Sequence, residues 1–213
     1  MNPIAFLSDI MLQVLQFFAV FTAGNYGWAI VLLTVAINLA LYPLTLQSIV
    51  QMSALQRVQP KLKEIQEKHK DKPDELQRKM MELYKTEKVN PFGGCLPLLL
   101  KIPFFLALFF ALQSAEFRNL IAASGVNAGF LWMPSLSLPD PTIIMVVLIG
   151  ITTYFSQSTM PTAQTSQTQM MSMFMPFLVA FISFSFPSGV QLYWVVSSAV
   201  AIAQQVYIVR VRV

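Results

Sequence analysis

The chain has 213 residues, 55% hydrophobic and only 11% charged, where an ordinary soluble domain carries about 25% charged residues. Its charges are concentrated: 10 of 14 Lys and Arg fall between Arg57 and Lys88, and 7 of 10 Asp and Glu between Glu64 and Glu87. This excludes a soluble globular domain and describes a polytopic membrane protein with one polar insertion, so the net charge of +4 gives no argument for nucleic acid.

A single cysteine, Cys95, excludes an internal disulfide and a cysteine metal cluster. The one histidine, His69, lies in the insertion without a second ligand nearby and reads as a solvated surface residue. No nucleotide motif, nucleophile–base pair or metal set is present, so no catalytic residue, metal or cofactor is expected. The N-terminus has no basic residues ahead of its apolar run and does not resemble a cleaved signal peptide.

Residues 3–22 are apolar, but Asp9, Gln13 and Gln16 recur at spacings of four and three. That stripe predicts a helix lying in the membrane interface rather than crossing it. After the break Gly24-Asn25-Tyr26-Gly27, residues 26–50 form the first predicted span, with Trp28 at an interfacial position and Pro43 as a local kink. Thr34 and Asn38, four apart, share one face of this helix. A buried amide needs partners, which leaves two readings: Asn38 hydrogen-bonds to another helix, or it lines a wet cavity.

Residues 52–90 predict a two-helix antiparallel hairpin. Leu55, Val58, Leu62 and Ile65 make one apolar stripe, and Leu76, Met80 and Leu83 the other, on either side of Asp71-Lys72-Pro73-Asp74. Asp71 is the expected N-cap of the second arm.

Residues 95–117 are the second span. Lys101 lies within it and either snorkels back to the interface or points into a cavity. A loop over 116–140 contains Trp132. The third and fourth spans, 141–157 and 170–186, are short at 17 residues each, where a span ordinarily needs about 20. The third ends near Gln157, and an uncharged loop over 158–169 joins the two. Residues 189–209 are the fifth span, with Gln191, Trp194 and Ser198 at spacings of three and four. Cys95 and the Met-rich run 170–175 read as packing residues.

The basic hairpin is expected in the cytoplasm. Five spans then put the N-terminus outside and the C-terminus inside, where Arg210 and Arg212 fall. The fold class is therefore all-α: one domain over 1–213 with five transmembrane helices, an interfacial helix and a cytoplasmic hairpin.

Several stretches together resemble the YidC/Oxa/Alb family of membrane protein insertases. They are TVAINLALYPLT (34–45), LQRVQPKLKEIQEKHKDKP (55–73), VNPFGGCLPLLLKIPFFLALFFAL (89–112) and FPSGVQLYWVVSSAVAIAQQ (186–205). They occur in the family's order, and the resemblance runs from about residue 3 to 208. It implies a hydrophilic groove, open to cytoplasm and lipid and closed outside, in the cytoplasmic (inner) membrane of a bacterium. Polar client segments enter the groove and apolar ones pass into lipid without nucleotide hydrolysis. By match to the family, Thr34, Asn38 and Trp194, with Tyr193 beside them, line the groove. Gln157 joins them at the end of the third span, and Gln191 by its spacing to Trp194. Relatives typically carry Arg where this chain has Asn38, and commonly Gln where it has Lys101, so Lys101 is the candidate groove charge.

The resemblance is to a short bacterial-type member, without an added N-terminal span and external domain. Implied partners are newly made membrane proteins and the lipid bilayer, with the Sec translocon and the ribosome as further ones. Ribosome contact would rest on the hairpin, because the chain stops at Val213 without a long basic tail. The competing classes are a Sec-associated chaperone for helix packing and a small-solute transporter. Against the transporter stand the absence of an internal repeat and of an acid–base relay.

Overall fold

The computed structural model describes residues 3–90, 96–123, 129–160 and 166–212. Among them the fold is all-helical: α1 Pro3–Phe21, α2 Tyr26–Ala40, α3 Tyr42–Lys68, α4 Pro73–Thr86, α5 Leu96–Gln113, α6 Ala115–Ala123, α7 Ile144–Ser158, α8 Ser166–Ser183 and α9 Ser188–Arg212.

The stripe in α1 separates its faces. Asp9 and Gln13 are exposed and Gln16 is half-buried, while Met11, Leu12, Leu15 and Ala19 are buried against α5 and α2. The chain then turns through Ala23 and Gly24, both in the left-handed region, with φ of 51° and 81°. Asn25 caps α2, its side chain accepting from the Trp28 N–H at 3.1 Å. The turn bends α1 from α2 by 112°.

Residues 26–50 are two helices rather than one. Pro43 has no N–H to donate back into α2. The break falls at Leu41, and Pro43 takes a first-turn position of α3. From there α3 is continuous to Lys68, so one helix runs from the bundle into the hairpin, and it accommodates Pro60 in its interior.

In the hairpin Val58, Leu62 and Val89 are buried, with Leu55, Met80 and Leu83 packed around them. Asp71 does not cap α4: the N-cap is Lys72, without a side-chain bond, because Pro73 already pre-sets the first turn. His69 is partly covered and faces Glu75 at 3.7 Å.

α5 bends by 60° into α6 at Ser114. The Ser114 hydroxyl donates to the Ala111 carbonyl at 2.7 Å and accepts from the Phe117 N–H at 3.1 Å, ending one helix and capping the next. The loop read over 116–140 thus begins as helix, through Ala123, and α6 sets Phe117, fully buried, edge-on against Tyr26 at 5.3 Å. α8 likewise begins at Ser166, inside the stretch read as the 158–169 loop. Met170 and Met173 face outward, at 60% and 64% exposure, rather than packing. Cys95 lies outside the described residues.

α9 is central and packs on α2, α5 and α7. Ile30 meets Gly189 and Asn38 meets Ser197, so α2 and α9 run parallel. Leu112 meets Gly189 and Phe105 meets Trp194, so α5 runs antiparallel to both. A Cβ on Gly189 would stand 2.6 Å from Leu112 Cδ1 and 3.2 Å from the Leu136 carbonyl, so a larger residue there would have to displace the Leu112 side chain and the strap.

The 129–143 strap fastens the end of the bundle opposite the hairpin. The Leu138 carbonyl accepts from the Ser188 N–H and hydroxyl at 2.8 and 2.6 Å, and the Leu136 carbonyl from the Gly189 N–H at 3.0 Å. Phe130 lies over Gly27, where a Cβ would fall on its ring.

Among the described helices Ser188–Val211 alone is long and apolar enough to cross a membrane by itself. Two bent pairs, Phe6–Phe21 with Tyr26–Ala40 and Lys101–Gln113 with Ala115–Ile121, reach that length together, and Ile144–Ser158 and Met173–Ser183 are shorter apolar helices.

Candidate functional site: polar ties around α9

Buried polar groups survive in an apolar bundle only when something answers them. The first set joins α2 to α9. Asn38, 1% exposed, donates its amide to the Thr34 carbonyl at 2.8 Å and to Ser197 Oγ at 3.3 Å. The Ser197 hydroxyl is also 3.4 Å from Asn38 Oδ1, and the Gln204 amide donates to the Asn38 carbonyl at 3.1 Å. Thr34, fully buried, turns its hydroxyl back to the Ile30 carbonyl of its own helix at 2.6 Å. Of the two readings open for Asn38, the interhelical bond is present.

The second set joins α7 to α9. The Trp194 indole N–H donates to Thr153 Oγ1 at 3.2 Å, and the Thr159 hydroxyl to Gln205 Oε1 at 2.6 Å. Gln157 is half-buried in the last turn of α7. The third set joins α8 to α9, where the Gln191 amide donates to the Ser183 carbonyl at 2.7 Å. Tyr193 turns toward α5, its ring 6.4 Å from Phe105.

The residues singled out in the sequence therefore divide around α9 rather than meeting at one point. Thr34 and Asn38 face it from α2, Trp194 reaches α7, Gln191 reaches α8 and Tyr193 reaches α5. Sequence reading missed Ser197, Gln204, Gln205, Thr153 and Thr159 as partners. It chose Ser198 by its four-residue step from Trp194, but the step that faces α2 is Ser197 to Gln204, seven residues or two turns.

Three polar atoms in these layers, Gln191 Oε1, Tyr193 Oη and Gln204 Oε1, are buried without a hydrogen-bond partner. Lys101 is half-buried on the α5 line Lys101–Phe105–Leu108–Leu112, whose other members pack inward. Phe105 meets Trp194 on the antiparallel α9, so Lys101, one turn earlier, stands level with Ser197 and Asn38.

Outside the spans, Asp140 organises the start of α7. Its carboxylate accepts from the Thr142 N–H and hydroxyl at 3.0 and 2.9 Å, from the Met145 N–H at 3.1 Å and from Trp132 Nε1 at 3.3 Å. Partial burial works against its charge, but these hydrogen bonds outweigh it and hold the pKa below the ordinary carboxylate value.

A bundle of apolar helices around one long central helix, with buried polar ties between the helices, defines an integral membrane protein. Residues 8–213 match the family model described as 60Kd inner membrane protein. The chain belongs to this family, that of the YidC insertases.

It is 44% identical over 186 residues to the membrane protein insertase YidC of Wolinella succinogenes, covering 87% of this chain and 34% of that protein. To the insertase YidC of Geobacter sulfurreducens it is 41% identical over 208 residues, covering 97% and 38%. A crystal structure of an active YidC insertase with its first transmembrane domain resolved superposes with a TM-score of 0.74 at 25% identity, covering all of this chain and 47% of that one. The chain thus spans between about a third and a half of the length of these relatives.

Proposed function

We propose that this chain forms the working core of a membrane protein insertase. It accepts polar segments of newly made membrane proteins into a hydrophilic groove beside α9 and releases their apolar segments into lipid without nucleotide hydrolysis. One observation carries this reading: the long central helix presents Gln191, Trp194, Ser197, Gln204 and Gln205 at successive depths, with partners on α2, α7 and α8. Polar groups at membrane depth are tolerated where they face protein or water and mark substrate paths. The unanswered Gln191, Tyr193 and Gln204 oxygens support water in this interior. A polar path part-way through the bilayer shortens the apolar distance a client's tail must cross. Burial of the client's apolar segment, at about 0.8 kcal/mol per CH₂, supplies the drive.

In this reading α2 with the start of α3, α5, α7, α8 and α9 are five spans in an inner membrane, and α1 lies in the interface. The hairpin, which carries most of the basic residues, is cytoplasmic, so the N-terminus is outside and the C-terminus inside. Thr34, Asn38, Gln157, Gln191, Tyr193 and Trp194 line or border the groove, and Lys101 is its candidate charge. The Sec translocon and the ribosome are proposed as further partners on the hairpin side.

The test is insertion of a small single-span protein into liposomes holding only this purified chain, scored by protease protection of the translocated tail. Neutral and acidic tails run in parallel, for the native chain, Asn38→Arg and Lys101→Gln. Protection of neutral tails is the expected result, with acidic tails reduced several-fold in Lys101→Gln and raised in Asn38→Arg. A folded chain that protects no tail in any combination would be a packing chaperone, and the insertase reading would be abandoned.

A further inference from the structure

The turn at Phe130–Met133 has a form that the polar ties do not explain. Phe130 and Met133 exchange both backbone hydrogen bonds, at 2.8 and 2.9 Å, and both side chains are buried. Leu131 and Trp132 form the tip between them. Leu131 has a φ of 56°, a left-handed conformation that its Cβ disfavours, yet its side chain stands 71% exposed. A strained backbone that aims a large apolar group at water has no rationale in water. Trp132 is exposed beside it, with its indole N–H already answered by Asp140 at 3.3 Å. Leu138 and Ile143 on the same strap are also exposed, and Trp28 stands edge-on to Phe130 at 5.4 Å. No charged residue occurs from Gly129 to Pro139.

We propose that the Leu131–Trp132 tip is an interfacial anchor, and that its occupant is the headgroup–acyl boundary of the leaflet at the end of the bundle opposite the hairpin. A membrane boundary asks three things of such a tip, and all are present. The Phe130 and Met133 backbone groups that close the turn are bonded to each other, the segment is uncharged, and an indole stands beside an aliphatic group in the manner of an interfacial belt. The patch is also continuous with the ends of α2 and α7, so it meets lipid if those helices span. The anchor fixes the depth of these two helices, of which α7 is only 15 residues long, against the about 20 a span needs. The shortfall of α7 then falls on the hairpin side, where Thr159 lies.

This inference rests on the reading that the bundle spans a bilayer, and the experiment separates the two. In a chain whose Cys95 is replaced by Ser, a solvatochromic dye is placed by Leu131→Cys, Leu138→Cys, Phe177→Cys on the exposed face of α8 and Lys72→Cys at the hairpin tip. The labelled chains go into liposomes with nitroxide lipids of shallow or deep label position. Leu131→Cys and Leu138→Cys should be blue-shifted relative to Lys72→Cys and at least twofold more quenched by shallow than by deep nitroxide. Phe177→Cys should follow the deep label. If Leu131→Cys and Leu138→Cys are quenched only by aqueous iodide while Phe177→Cys remains lipid-quenched, the anchor is wrong and the spanning reading stands. If Phe177→Cys is also open to iodide, both readings fall.

Discussion

Asn38 of α2 and Ser197 of α9 meet side chain to side chain at 3.3 Å, 159 positions apart in the chain, with Gln204 closing on the Asn38 carbonyl two helical turns beyond. This contact brings together two helices that are parallel and far apart in sequence. It fixes α9 against α2 at this depth of the bundle.

The contact is measurable as a coupling. Polar pairs between membrane helices average about 0.6 kcal/mol. Asn38→Leu and Ser197→Ala should each lower stability by about 0.5–1.5 kcal/mol, and the double variant should fall short of the sum by about that coupling. Unfolding in mixed micelles, run as a double-mutant cycle, reads this. Strict additivity would show that the two side chains do not interact.

Gly27 and Phe130 make a second exact fit. A Cβ at Gly27 falls on the Phe130 ring, so Gly27→Ala must displace either the ring or the strap. The expected loss is about 1–3 kcal/mol, the range for overpacked cores. Adding Phe130→Leu should recover part of it by vacating the space. Thermal unfolding of the single and double variants checks both expectations.

Asp140 gives an acid-dependent contribution. Partial burial opposes its charge, but hydrogen bonds from Thr142, Met145 and Trp132 hold its folded pKa below the model-peptide value of 3.8. The unfolded chain therefore takes up the proton first as pH falls. The contribution is complete above 3.8 and disappears as pH falls from there through the depressed folded value. Asp140→Asn should be less stable than the native chain at neutral pH, and the difference should shrink below about pH 4. Unfolding midpoints of the two chains across that interval test the sign.

The hairpin should melt apart from the bundle. Its buried set is small, Val58, Leu62 and Val89, and α4 has no buried residue of its own. Leu62→Ala should lower hairpin stability by about 2–3 kcal/mol. Lys61→Ala, which removes the exposed ion pair to Glu87, should cost under about 1 kcal/mol. Hydrogen exchange should show both effects in α4 and the outer half of α3, with the amides of α9 unchanged.

Much of this protein is set by local sequence. Apolar run length gives the helices, the three-and-four stripe gives the hairpin core at Val58 and Leu62, and Asp9 and Gln13 mark the exposed face of α1. These are properties of one helix at a time, fixed by a period of 3.6 residues and by which faces meet apolar surroundings. Local signals also have limits: Pro43 announces a break but does not say that it falls at Leu41, and Ser114 does not announce that the chain bends and continues as α6. Asp71 has the chemistry of a cap, but the place falls to Lys72 because Pro73 starts the helix.

Which polar residues meet was decided only by tertiary structure. Sequence spacing along α9 links Trp194 to Ser198, yet the partner of Asn38 is Ser197, and the partners of Trp194 and Gln205 are Thr153 on α7 and Thr159 at its C-terminal cap. Spacing shows which residues share a face, but not which neighbour that face meets. That depends on the parallel approach of α2 and α7 to α9, held by Gly189 at one end of the bundle and by the strap across it. The same holds for Leu131. Nothing in GFLWMP says that its backbone is left-handed and its side chain exposed, because both follow from anchoring Phe130 over Gly27 and burying Met133 on either side of it.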